Sequence, residues 1–179
     1  MKKIKKNKNK GILFWITGLS GSGKTSIGKK IRKEIEATYG PTLVISGDNI
    51  RKIFKFNKYT YKERQALKQK YFDFAKFVTN QNINLIFAAG LGVSNYLRKM
   101  YKKNMDNYVE IYIKANIKKI IKSKKKRIYI KKSGPIVGLD IRPSIPQNPN
   151  IILKNDFKKD INQLSSELIN KLKKNYKLN

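Results

Sequence analysis

Apolar residues change their spacing along this chain, and the changes mark out its elements. Ile12-Leu13-Phe14-Trp15-Ile16 is an unbroken apolar run, the pattern of a parallel strand buried on both faces. Over residues 24–37 the period lengthens: Ile27, Ile31 and Ile35 recur four apart and predict a helix with one inward face, stopped by Gly40-Pro41. Residues 42–45 read as a second strand, ending at Ser46-Gly47-Asp48-Asn49, with a short helix through Ile50 and Phe54 behind it. Thr60, with Glu63 three residues on, has the form of a capping box opening a long helix through Phe72, Ala75 and Val78. Residues 83–88, 108–113 and 151–153 supply three more strands, and an amphipathic stretch over 160–172 supplies a closing helix.

Repeated alternation of strand and helix predicts an α/β fold, a parallel five-stranded sheet with helices on both faces. No internal repeat is visible, and the length of 179 residues with 40% hydrophobic content predicts one domain over residues 11–179. Residues 1–10 form a basic, Asn-rich lead-in expected to fray. The rhythm breaks over about 122–149, where Lys124-Lys125-Lys126-Arg127 and Gly134-Pro135 precede Pro143, Pro146 and Pro149. A long irregular stretch of this kind in a compact domain is expected to be a basic lid over a site.

Composition then narrows the chemistry. There is no cysteine and no histidine, so thiolate and imidazole ligands are excluded and acid–base work falls to a carboxylate or a lysine. No apolar run approaches the roughly 20 residues that span a bilayer, and the lysine-rich start lacks the apolar core of a secretory signal; a cytoplasmic protein with no membrane partner is expected. The 42 Lys and Arg against 11 Asp and Glu give a formal charge of +31. These lysines are spread along the whole chain among Asn and Ile, which reads as a solvated surface and not as a nucleic-acid stripe, although the field draws nucleotides inward.

One motif carries the function. Gly18-Leu19-Ser20-Gly21-Ser22-Gly23-Lys24-Thr25 follows the first strand and opens the first helix, matching G-x-x-x-x-G-K-[ST]. Glycines let successive backbone N–H groups turn inward around phosphate oxygens, and the helix presents its positive end to the same charge. With Ser26, these residues are the expected ATP-binding set. Lys24 reaches the β and γ phosphates as a catalytic group, and the Thr25 hydroxyl ligates Mg²⁺. Asp48, at the carboxyl end of the second strand, is placed to orient Mg²⁺ through water or to accept a hydroxyl proton as the catalytic base, unless it merely caps the next helix. Arg51 and Arg64 suit the anionic groups of an acceptor, because a guanidinium meets phosphate or sulfate oxygens through two parallel hydrogen bonds; each could instead be a solvated helix residue.

Three further stretches give the motif a context. Ser46-Gly47-Asp48-Asn49-Ile50-Arg51 follows the second strand, Lys126-Arg127-Ile128-Tyr129 lies in the basic segment, and Gly138-Leu139-Asp140 precedes Pro146-Gln147-Asn148-Pro149. In that order they resemble the adenylylsulfate kinase family over roughly residues 11–153. The resemblance implies transfer of the ATP γ-phosphate to the ribose 3′-hydroxyl of adenylyl sulfate, with ATP and Mg²⁺ required and a homodimer as the common assembly. It also implies that Lys126 is a catalytic lid lysine accompanied by Tyr129, that Tyr59 stacks on the acceptor base, and that Ile136 stands at the acceptor wall.

The departures fall on the acceptor half. Ser46 stands where the family has an Asp, and Leu67 where it has an Asn that touches the acceptor. The family's F-[IV]-S-P-[YH]-R stretch becomes residues 90–98, and its F-T-G, the source of a second stacking aromatic, becomes Ile136-Val137-Gly138. A pocket with one aromatic wall stacks a base less well, stacking being worth roughly 1–3 kcal/mol per base. A divergent branch of the family, the capsule-biosynthesis kinases that phosphorylate cytidine diphosphoramidate, is similar to this chain in those departures, and both acceptors stay open. Competing readings are a nucleoside or nucleoside-monophosphate kinase, a nucleic-acid-binding P-loop NTPase, and a nucleotide-binding scaffold. The NTPase reading lacks a carboxylate at the end of the third strand, which runs out in Phe87-Ala88-Ala89.

Overall fold

The computed structural model describes residues 7, 9–56, 61–123 and 135–176, with backbone alone at 61, 62, 64 and 65. Five strands, β1 (Leu13–Gly18), β2 (Thr42–Ser46), β3 (Asn84–Gly90), β4 (Tyr108–Ala115) and β5 (Ile151–Asn155), form one sheet in the order β2-β3-β1-β4-β5. Every pairing is parallel. The expected α/β architecture is therefore observed. The helices are α1 (Lys24–Tyr39), α2 (Gly47–Ile53), α3 (Tyr61–Asn80), α4 (Asn95–Asn104), α5 (Ile117–Lys122) and α6 (Ile161–Asn175).

Side chains of β1 alternate between two cores, as the period of a strand requires. Phe14 and Ile16 pack with Ile27, Ile31 and Ile35 of α1 and with Leu164, Leu168 and Leu172 of α6. Leu13 and Trp15 face the other way, onto Leu67, Tyr71, Phe72 and Ala75 of α3 and Tyr101 of α4. Trp15 stacks on Phe87 at 4.8 Å and meets the Tyr101 ring edge-on at 5.5 Å. A third, smaller cluster of Leu19, Leu91, Tyr112, Ile120 and Ile136 closes one end of the sheet.

Strands run further than their apolar runs predicted. β1 continues through Thr17 to Gly18, where Gly18 pairs with both Gly90 and Ile113 in register. Polar Thr17 is fully buried there because its hydroxyl donates to the Gly90 carbonyl at 3.3 Å. The first helix likewise reaches Tyr39 before Gly40 ends it at φ 92. Thr60, the expected cap of α3, lies outside the described residues.

The carboxyl ends of the strands bring Gly18, Ser46, Gly90, Ala115 and Asn155 to one edge of the sheet. Chain order reverses about β1, whose neighbours are β3 on one side and β4 on the other. In open α/β sheets such a switch point opens the crevice where ligands bind.

Candidate active site

The turn from β1 into α1 is wound by Gly21 at φ 77 and Gly23 at φ 96, left-handed angles that a side chain resists. Gly23 is the N-cap of α1 and makes no side-chain cap bond, so the first-turn amides of a 16-residue helix are left facing the crevice. Gly18 must be glycine for a different reason: a Cβ there would come 2.7 Å from Ser22 Oγ and 2.8 Å from the Ile113 carbonyl oxygen. The Lys24 ammonium donates to the Leu19 carbonyl at 2.6 Å, folding across its own loop.

A residue the sequence reading did not single out secures this loop. Asn155, buried at the carboxyl end of β5, donates through Nδ2 to the Ser22 carbonyl at 3.0 Å and accepts from the Phe157 amide at 2.9 Å. Phe157 follows at φ 67. The signal that could have found Asn155 is its place at a strand's carboxyl end, where α/β folds put their ligand contacts.

Beyond the loop a cleft of about 860 Å³ opens. On the loop side it is lined by Leu19, Ser20, Gly21, Lys24, Thr25 and Ser26, and on the far side by Asp48, Arg51, Leu67, Lys68 and Tyr71. Leu91, Val93 and Ile136 form an aliphatic wall between them. The cations Lys24, Arg51 and Lys68 face one carboxylate, Asp48, so the described lining is net positive and suits a polyanion.

Asp48 is an exposed residue in the first turn of α2. It does not cap that helix. Ser46 does: its hydroxyl accepts from the Asn49 amide at 3.2 Å, and the Asn49 side chain accepts from the Ser46 amide at 3.0 Å. Serine at position 46 thus keeps the helix start while leaving Asp48 as the acid on the cleft. Arg51, one turn on, is half-buried and lines the same wall.

Ile136 is buried among Leu19, Leu91 and Tyr112. Its amide donates to Asp140 Oδ2 at 2.9 Å, while the Asp140 and Ile141 amides donate to its carbonyl at 2.9 and 3.1 Å. The Gly138-Leu139-Asp140 motif is therefore a tight turn that presses residue 136 onto the phosphate loop. Gly138, at φ 103, allows it, since a Cβ would meet Leu19 Cδ2 at 2.8 Å. Of the other expected site residues, Arg64 lies in the first turn of α3 with its side chain outside the description, and Tyr59, Lys126 and Tyr129 lie outside the described residues. Lys68 and Tyr71 were not foreseen, because helical periodicity cannot distinguish a cleft face from a core face.

The model of the adenylylsulphate kinase family matches residues 10–154. The chain belongs to the adenylylsulphate kinase family. As a family member it is 28% identical over 169 residues to the cytidine diphosphoramidate kinase of Campylobacter jejuni, covering 92% of this chain and 98% of that protein. It is also 28% identical over 148 residues to a probable adenylyl-sulfate kinase of Pyrococcus abyssi, covering 79% and 83%. The fold matches the Mycobacterium tuberculosis APS kinase in complex with AMPPNP and APS, with a TM-score of 0.78, 21% identity and coverage of 92% and 98%. This family member is accordingly an ATP-dependent phosphotransferase acting on a nucleotide acceptor. Among its described residues no helix is long and apolar enough to cross a membrane.

Proposed function

We propose that the chain transfers the γ-phosphoryl group of ATP to the ribose 3′-hydroxyl of cytidine diphosphoramidate. The observation that carries this reading is the asymmetry of the cleft. Its loop side keeps the phosphate-loop residues, while the rest of the lining has Leu67, Leu91, Val93 and Ile136 beside the aromatics Tyr71 and Phe157. With Ile136 standing where the family has a second stacking aromatic, the wall offers a purine less stacking, while a smaller pyrimidine keeps enough contact.

In this reading the amides of residues 18–26 and the Lys24 ammonium hold the ATP phosphates, Lys24 leaving the Leu19 carbonyl to do so. The donor set also fits Mg²⁺, which takes few protein oxygens when phosphates supply the others: the Thr25 hydroxyl directly and Asp48 through water. The metal, when bound, neutralises charge on the transferring phosphoryl group. A carboxylate oxygen of Asp48 accepts the proton of the 3′-hydroxyl as it attacks. Arg51 and Arg64 grip the acceptor's anionic groups, and Tyr59 provides its aromatic wall. Lys126, on the basic lid, adds positive charge at the moment of transfer.

The deciding experiment is ATP consumption by the purified protein with Mg²⁺, against cytidine diphosphoramidate and adenylyl sulfate in parallel, with product mass and phosphate position determined. Turnover of the cytidine compound supports the reading and assigns the chain to the capsule-building branch. Turnover of adenylyl sulfate alone makes it a sulfate-activation enzyme and overturns the choice of acceptor. A phosphate on the 5′ side overturns the 3′ assignment.

A further inference from the structure

Three cleft residues, Leu67, Lys68 and Tyr71, stand on adjacent turns of α3 at spacings that share one helix face. Leu67 and Tyr71 are buried against the core beneath. Lys68, half-buried between them, is the cation on this face whose side chain lines the cleft. Its backbone is pinned from behind, because the Tyr101 hydroxyl donates to the Lys68 carbonyl at 2.6 Å. The Tyr101 ring is itself fixed, stacked on Phe72 at 4.9 Å and set edge-on to Trp15. The backbone that carries this cation is therefore held firmly against the core.

We infer that Lys68 is a specificity-determining residue, which with Arg51 binds the two charges of a 5′ phosphoanhydride substituent on the acceptor nucleotide. This rests on the kinase reading above and deepens it. Lys24 stands on the phosphate loop, whereas Arg51 on α2 and Lys68 on α3 are cations of the described lining carried by other elements, and they join Arg64 of the reading above. Leu67 and Tyr71 on either side of Lys68 are buried, which weakens competition from water and strengthens a charge-assisted bond there. Two cations match an anhydride bearing two ionised groups, a chemistry shared by the phosphoramidate and the phosphosulfate of the two candidate acceptors. A nucleoside has no group for either cation, and a 5′-monophosphate places one phosphate where two groups are accommodated.

The test uses the full chain, Lys68→Gln and Lys68→Arg, with both acceptors, and adds equilibrium binding of CMP and AMP with ADP present. Loss of one charge-assisted bond is expected to raise the acceptor KM about 10-fold or more while leaving the ATP KM within twofold. Lys68→Arg recovers most of the loss, and binding of the monophosphates changes much less than that of the anhydrides. An unchanged acceptor KM in Lys68→Gln, equal damage in both variants, or a parallel rise in ATP KM overturns the inference. If the wild-type chain phosphorylates neither acceptor, the kinase reading fails and this one with it. Wild-type turnover alongside an unaffected Lys68→Gln overturns this inference alone.

Discussion

The Arg98 guanidinium donates to the Glu110 carboxylate at 2.5 Å, with only 4% and 8% of the two side chains exposed. The same guanidinium donates to the carbonyls of Val93 and Ser144 at 3.1 Å, and the Ser144 amide donates to the Leu91 carbonyl at 2.9 Å. One buried cation thereby ties the cleft rim at residues 91–93 to β4 and to the segment that follows the 138–140 turn. Arg98 closes the remodelled 90–98 stretch, so in this chain that stretch is held from inside the protein.

Removing one partner of a buried pair leaves the other charge uncompensated, at a cost of about 3–5 kcal/mol. Glu110→Gln is expected to lose stability of that order in urea denaturation. In the surviving folded protein the acceptor KM should rise more than the ATP KM, since the rim at Leu91 and Val93 loosens while the phosphate loop does not. Wild-type stability in Glu110→Gln would show the pair to be energetically idle.

Gly47 tests the acceptor side by shape alone. A Cβ there would lie 2.7 Å from the Tyr71 hydroxyl, and the Tyr71 ring is held at 5.0 Å from Phe87. Gly47→Ala should therefore push Tyr71 along the cleft wall and weaken acceptor binding. The melting temperature should fall as well, because Gly47 is the first residue of α2, where Ala gains little over Gly, and the displaced Tyr71 is buried. Steady-state kinetics together with a thermal melt separates the two effects.

Lys24 and Asp48 should fail in different ways. Lys24→Ala is expected to abolish turnover without altering the melting temperature, since its partner when working is phosphate and not the core. Asp48→Asn should lower kcat by a larger factor than it raises the ATP KM, the signature of a group acting in the transition state. A pure ATP-affinity defect in Asp48→Asn would demote it from base to a holder of metal-bound water.

Asn155→Ala removes the side chain that joins β5 to the Ser22 carbonyl, and with it the bond to the Phe157 amide. The expected result is an ATP KM raised several-fold with the acceptor KM nearly unchanged. An isothermal titration with a non-hydrolysable ATP analogue reads the same loss independently of turnover.

Alkaline stability should report on Tyr101. Burial, with smaller contributions from Tyr71 and Asp73, raises its phenol well above the usual value near 10, against a weaker lowering by Arg98. A raised folded pKa gives stability that is complete below the unfolded pKa and lost as pH climbs toward the folded one. Wild-type stability should thus exceed that of Tyr101→Phe near neutrality, where the bond to the Lys68 carbonyl is intact. That margin should shrink above pH about 10, by up to about 1.4 kcal/mol per pH unit. A margin independent of pH between 9 and 11 would contradict the shift.

Much was legible in the sequence because it is written locally. The apolar runs placed all five strands, the four-residue spacing of Ile27, Ile31 and Ile35 placed α1, and the glycine–lysine motif placed the phosphate loop, each requiring only near neighbours in the chain. The sequence also kept Asp48 and Arg51 together at the end of β2, where a strand delivers them to the crevice. Tertiary structure alone decided the rest. It set Asn155 against Ser22 across 133 positions, joined Arg98 to Glu110, Val93 and Ser144, and turned Lys68 and Tyr71 from a generic helix face into a cleft wall. The physical reason is that periodicity states which side of an element is buried, whereas the strand order β2-β3-β1-β4-β5 determines what that side meets.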